Sequence, residues 1–194
     1  MNNVFEVRKT KVRKLTVIGL LSGITIFLGL SGYGFIQLPI ARLTIMHIPV
    51  IIGTILEGPK VGMAIGFMFG AFSIFQNMIA PNLLSFALVN PLVSILPRIL
   101  IAITTYLVYK AVRIKNQSIR ISIAALVGSI TNTVGVLSMI LLLYVDKYAA
   151  AKNTTVQGAK KLVLSVVYTN GILEAIVAAL ITSSIVLAVK KMRK

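Results

Sequence analysis

Two charged side chains, Arg98 and Glu174, sit inside long apolar stretches of this 194-residue chain. A charge at the centre of a membrane helix costs roughly 2.5–3.5 kcal/mol on insertion scales, so such a residue faces a partner or a wet cavity. Measured along a helix from Val112 and Val189, Arg98 lies about 21 Å deep and Glu174 about 22 Å deep. Asn132, on a third stretch, lies about 16 Å from Ile121. Asn170 stands one turn before Glu174 on the same helical face. Arg98, Asn132, Asn170 and Glu174 therefore fall in one layer, with Thr131 and Thr133 flanking it. Two arrangements suit that set. Arg98 and Glu174 can form a structural ion pair while the amides bond across helices. Alternatively, the four can line a polar pocket in which Arg98 meets an anion or a carbonyl.

Other polar residues stand near the ends of apolar stretches. Asn90-Pro91 reads as a helix cap followed by proline in the first turn, which leaves free N–H groups suited to a carboxylate. Pro97 should kink its helix and free a carbonyl. His47, two residues before Pro49, is either an interfacial hydrogen-bonder or a ligand group. Gln76 and Asn77 face either a pocket or the lipid headgroups. With one histidine, four acids and no cysteine, little remains from which to build a metal site or a catalytic triad. No phosphate-binding loop is present, and Gly58-Pro59-Lys60 is not one. The residues thus argue against an enzyme and call for no cofactor.

The elements that carry these residues follow from hydropathy. Hydrophobic residues make up 57% of the chain and the mean hydropathy is +0.95, more apolar surface than a soluble domain of this size can hide. Lipid is the natural solvent for it. The expected fold is all-α: one polytopic transmembrane domain over residues 1–194, with six helices near 15–31, 45–56, 61–79, 91–112, 121–144 and 162–189. An amino-terminal basic run before an apolar stretch also opens signal peptides. Without a clear cleavage site behind it, the run reads as the flank of a retained first helix. The net charge of +16 would suggest nucleic acid in a soluble protein. Here the basic residues border the apolar stretches, so topology explains them and nucleic acid is not an expected partner. With the amino terminus inside, fourteen of the twenty lysines and arginines fall on the inner side, which places both termini in the cytoplasm.

The second stretch is too short to cross: twelve residues rise about 18 Å against a core of about 30 Å. Pro49 shortens it further, so the chain near 44–48 should be irregular, buried in protein or lining a cavity on the outer side. Loops 32–41 and 80–89 could close over such a cavity, and 146–160 reads as a mobile outer connection. Small residues mark packing seams: Gly62, Gly66 and Gly70 inside the bundle, and Gly19, Ser22 and Gly23 on a face that could dock a partner membrane protein.

The runs Thr44-Ile45-Met46-His47-Ile48-Pro49 and Glu57-Gly58-Pro59-Lys60-Val61-Gly62, with Asn90-Pro91, Leu96-Pro97-Arg98 and Asn170-Gly171-Ile172-Leu173-Glu174, resemble the substrate-specific S components of energy-coupling factor (ECF) transporters, nearest their pantothenate-type branch. The likeness spans essentially the whole chain. It implies a six-helix bundle in a bacterial cell membrane that binds one vitamin near its outer face. It also implies partners: a membrane-embedded T component, contacted by small residues of the first helix, and two cytosolic ATPase subunits. Family subunits for folate or a pyrimidine precursor of thiamine share the fold. A stand-alone channel or secondary transporter is the rival class, although two halves with paired broken helices are not evident.

Overall fold

The computed structural model describes residues 2–37 and 42–193. Lys194, residues 38–41 of the first loop and Met1 lie outside them. Helix α1 runs Asn2–Ser31 and leads to a two-stranded antiparallel ribbon, β1 Phe35–Gln37 and β2 Arg42–Thr44, in the register Phe35 with Thr44. Then come α2 Ile48–Glu57, α3 Pro59–Ile79, the single turns α4 Ser85–Leu88 and α5 Pro91–Ser94, and α6 Leu96–Ala111. Helix α7 spans Gln117–Ala151, α8 covers Val156–Val166, and a π-helical turn at Val167–Gly171 joins it to α9 Ile172–Met192.

Among the described residues, five helical stretches are long and apolar enough to cross a membrane: Thr10–Ser31, Pro59–Ile79, Pro91–Ala111, Gln117–Ala151 and Val156–Met192. Helix α2 is the shorter, sixth apolar helix, and it is the most enclosed, with Ile48 to Ile55 all buried. Leu15, Phe27, Leu142 and Leu180 are well exposed, whereas Thr25, Thr105, Ser129 and Thr182 are fully buried. That inside-out distribution is stable only where lipid replaces water as the surrounding solvent. Several buried hydroxyls satisfy themselves on the preceding helical turn, as Thr54 does on the Val50 carbonyl at 2.7 Å. This chain is a multi-pass helical membrane protein.

Glycine sets the close approaches. Gly58 carries a φ of +95° at the sharp junction of α2 and α3, and Pro59 then opens α3 in its first turn. A Cβ on Gly66 would strike the Arg98 carbonyl, and one on Gly70 the Ser94 carbonyl, so α3 lies directly on the α5–α6 backbone. Among the described residues, two clusters fill the bundle. One, around Ile51, Ile65, Ile101, Ile121 and Val186, lies among α2, α3, α6, α7 and α9. The other joins Val93, Ile140, Tyr148, Ala149, Ala159 and Val163.

The second cluster corrects the expected 146–160 connection. Helix α7 continues to Ala151 past a non-helical residue at Tyr144, and α8 starts at Val156, capped by the Thr155 hydroxyl on the Gly158 N–H. Tyr148 and Ala149 at the end of α7, and Ala159 and Val163 one turn apart on α8, are buried against one another, and their burial outweighs the polar composition between them. At the opposite end of the bundle, Arg13 and Arg193 both pair with Glu57 at 2.9 Å. Helix α1 near Arg13 and the end of α9 therefore lie on the same side as the α2–α3 junction.

Candidate functional site

Arg98 is placed by the proline before it. Pro97 has no N–H to offer the Val93 carbonyl four residues back. Arg98 supplies the missing donor: its Nη1 gives a hydrogen bond to the Val93 oxygen at 2.8 Å. The guanidinium also lies 5.2 Å from the centre of the Phe69 ring on α3, a cation–π distance. Only 7% of Arg98 is exposed, and its Nε has no hydrogen-bond partner among the described residues. The Asn132 Oδ1 on α7 is likewise buried without a partner. Buried polar atoms are normally paired. His47, Thr105, Ser129 and Thr182 also carry unpaired buried atoms, but of all these residues Arg98 and Asn132 are the two that line a common cavity.

Glu174 is placed differently. Its Oε1 accepts the Thr44 N–H at 2.7 Å and its Oε2 accepts the Thr133 hydroxyl at 2.9 Å. The carboxylate thus joins α9 to the ribbon and to α7. One residue before α9 the chain passes through the π-helical turn that contains Asn170. Such turns carry an extra residue per turn and are frequent at functional sites.

These groups surround a cavity of about 750 Å³. The ribbon contributes Phe35 and Thr44, α3 contributes Phe69, Ser73 and Gln76, and α6, α7 and α9 contribute Arg98, Asn132, Thr133 and Glu174. Asn170 and Lys152 add to its polar lining. Asn77 and Asn82 also line it; Asn77 accepts hydrogen bonds at Oδ1 from Asn82 Nδ2 and the Ser85 hydroxyl, 2.9 and 2.7 Å away, and fixes the chain after α3. Gln76 Nε2 donates to the Gly29 carbonyl at 3.1 Å and ties α3 to α1.

Of the residues singled out from sequence, Arg98, Asn132, Thr133, Asn170, Glu174, Gln76 and Asn77 are brought together around this cavity. Others are not. His47 is fully buried beneath the start of α2, outside the lining, because the turn it occupies is folded into the bundle. Asn90 caps α5 through the Leu92 N–H and gives its amide to the Tyr144 hydroxyl at 2.9 Å, so both ends of its side chain are engaged away from the cavity. Thr131 points one helical step off the site and bonds Thr104 on α6 at 3.0 Å, whereas its neighbour but one, Thr133, faces Glu174. On α1, Gly19 and Gly23 face open space, but Ser22 is 4% exposed and turned into the bundle, so it leaves the expected docking face.

Sequence reasoning missed Thr44, whose contribution is a backbone N–H and carries no side-chain signal. It also missed Phe69, one of several aromatics in an apolar helix, and Lys152, which read as an outer charge.

A multi-pass helical membrane bundle with a polar-lined cavity of small-molecule size defines the class: a membrane protein built to hold a small ligand. Residues 13–186 match the family described as "ECF transporter, substrate-specific component", and the chain belongs to that family. It is also 32% identical over 164 residues to the pantothenic acid transporter PanT of Lactococcus lactis subsp. cremoris (strain MG1363), a match covering 77% of this chain and 79% of that protein.

Proposed function

We propose that this chain is the pantothenate-binding S component of an ECF-type importer, working with a T component and two ATPase subunits. The observation that carries the reading is the pair of partnerless buried atoms, Arg98 Nε and Asn132 Oδ1, on residues lining a 750 Å³ cavity. That volume lies within the range of small-molecule sites. Pantothenate offers a carboxylate to the guanidinium and amide and hydroxyl donors to Asn132. Asn170 and Gln76 supply further amide groups. The name of the Lactococcus relative supports the choice of vitamin.

In this reading the cavity end faces outward, and the end with the termini, richer in lysine and arginine, is cytoplasmic. Substrate enters from outside, and ATP hydrolysis in the partner subunits drives its release inward. The test is titration calorimetry of the purified full chain with pantothenate, alongside mass spectrometry of any small molecule that co-purifies. Saturable one-to-one binding is expected. Absence of pantothenate binding, with folate or a pyrimidine co-purifying instead, would overturn the choice of vitamin.

A further inference from the structure

Both oxygens of the Glu174 carboxylate are engaged by the protein itself, one by the Thr44 N–H and one by the Thr133 hydroxyl. Arg98 and Asn132, on the same cavity, each keep a buried atom without a partner among the described residues. The contrast divides the lining into groups left for a ligand and a group already used. Thr44 ends β2 and pairs with Phe35 across the ribbon, and both residues line the cavity. An edge N–H of a two-stranded ribbon needs an acceptor, and here the acceptor lies 130 residues away on α9. The neighbouring backbone bonds, Gly34 N–H to the Leu28 carbonyl and Ile45 N–H to the Gly34 carbonyl, are local.

We propose that Glu174 is a positioning residue that fastens the β1–β2 ribbon over the cavity through Thr44, and that its hold sets how fast the cavity opens. This rests on reading the cavity as the substrate site. It also removes a conflict in that reading, because a carboxylate in direct contact with an anionic substrate would repel it. Fixed as a tether, Glu174 acts on the ribbon backbone, and Arg98 remains to meet the anion.

The test compares Glu174→Ala, Glu174→Gln and Thr133→Val in the full chain in nanodiscs. The first readout is hydrogen exchange of the peptide containing Thr44, without ligand. The second is the dissociation rate of labelled pantothenate. In Glu174→Ala, exchange at Thr44 should accelerate by on the order of tenfold or more, the scale of a lost charge-assisted hydrogen bond, and pantothenate should leave faster by a similar factor. Glu174→Gln keeps an acceptor for the Thr44 N–H and should restore most of the protection. Thr133→Val removes one of the two bonds and should fall between, which also serves if the alanine variant does not fold. Unchanged exchange at Thr44 in both Glu174→Ala and Thr133→Val would overturn the proposal. So would Glu174→Gln losing pantothenate while Thr44 stays protected, since the carboxylate would then touch substrate. Because exchange is read without ligand, a wild-type chain that ignores pantothenate leaves this test standing while the substrate assignment falls.

Discussion

Gly66 lies against the backbone carbonyl of Arg98, so the helix that carries the buried guanidinium is held in place by an absent side chain. The contact sets the height of Arg98 over Phe69, which stands on α3 three residues after Gly66. Gly66→Ala should push α3 off α6 and cost about 1–3 kcal/mol of stability, as overpacking does in tight cores. Thermal unfolding in detergent checks it. Gly23→Ala, whose Cβ would meet nothing within 4 Å, is the control and should leave the midpoint unmoved or raised.

Arg98 and Asn132 should divide substrate recognition by charge. Arg98→Ala removes a charged donor and should weaken pantothenate binding by on the order of ten- to a hundredfold. Arg98→Lys should not restore it, because an ammonium group cannot serve the Val93 carbonyl, the Phe69 face and a carboxylate in the guanidinium's planar geometry. Asn132→Leu should cost about tenfold, the scale of one neutral hydrogen bond, and should affect uncharged analogues as much as the acid. Calorimetry with pantothenate and its alcohol analogue separates the two. Equal losses of both ligands in Arg98→Ala would remove the anion assignment.

The polar layer was legible because charge inside an apolar stretch is rare and helical rise converts position into depth. That depth grouped Arg98, Asn132, Asn170 and Glu174, and all four line the cavity. Pro97 was legible too, since a missing N–H must free a carbonyl, although that Arg98 itself would cap it was not. What the sequence hid was mostly backbone and register. Thr44 acts through an N–H that every residue but proline owns. The π-helical turn at Val167–Gly171 changes helical phase without any residue that announces it. Thr131 and Thr133 are equivalent in composition, and only the rotation of α7 decides that Thr133 meets Glu174. His47 looked accessible beside a proline turn, and the fold closes over it.

Glu57 should behave as a buried hub with replaceable spokes. Its side chain is 1% exposed, while Arg13 and Arg193 are 57% and 40% exposed. Either arginine alone can still neutralise the carboxylate, so Arg13→Gln and Arg193→Gln should each cost little. The double variant strands a buried charge and should cost more than the two singles combined, on the order of 2–4 kcal/mol. Glu57→Gln leaves only half-exposed arginines and should cost less than the double. Unfolding of all four variants at fixed ionic strength tests the ordering, and strict additivity would refute it.

The absence of native cysteine makes orientation directly measurable. Tyr33→Cys, at the ribbon end, should react in intact cells with a membrane-impermeant maleimide. Lys115→Cys, between α6 and α7, should react only after permeabilisation. The reverse pattern would invert the proposed topology and place the cavity mouth inside.

The exposed seam of α1 gives the test of assembly. Gly19 and Gly23 lie one turn apart with open space above them, flanked by the exposed Leu20, Ile24 and Phe27. Small residues at that spacing let a second helix approach closely, and bulk there keeps it away. Gly19→Leu with Gly23→Leu should therefore leave the isolated subunit as stable as before, since leucine favours the helix and meets no neighbour. Pantothenate affinity should be retained, because neither position borders the cavity. Co-purification with a T component and ATP-dependent uptake should both be lost. Ser22→Leu should do the opposite, destabilising the subunit itself, since Ser22 is packed inside the bundle. If the double glycine variant still assembles and transports, the T component docks on another face.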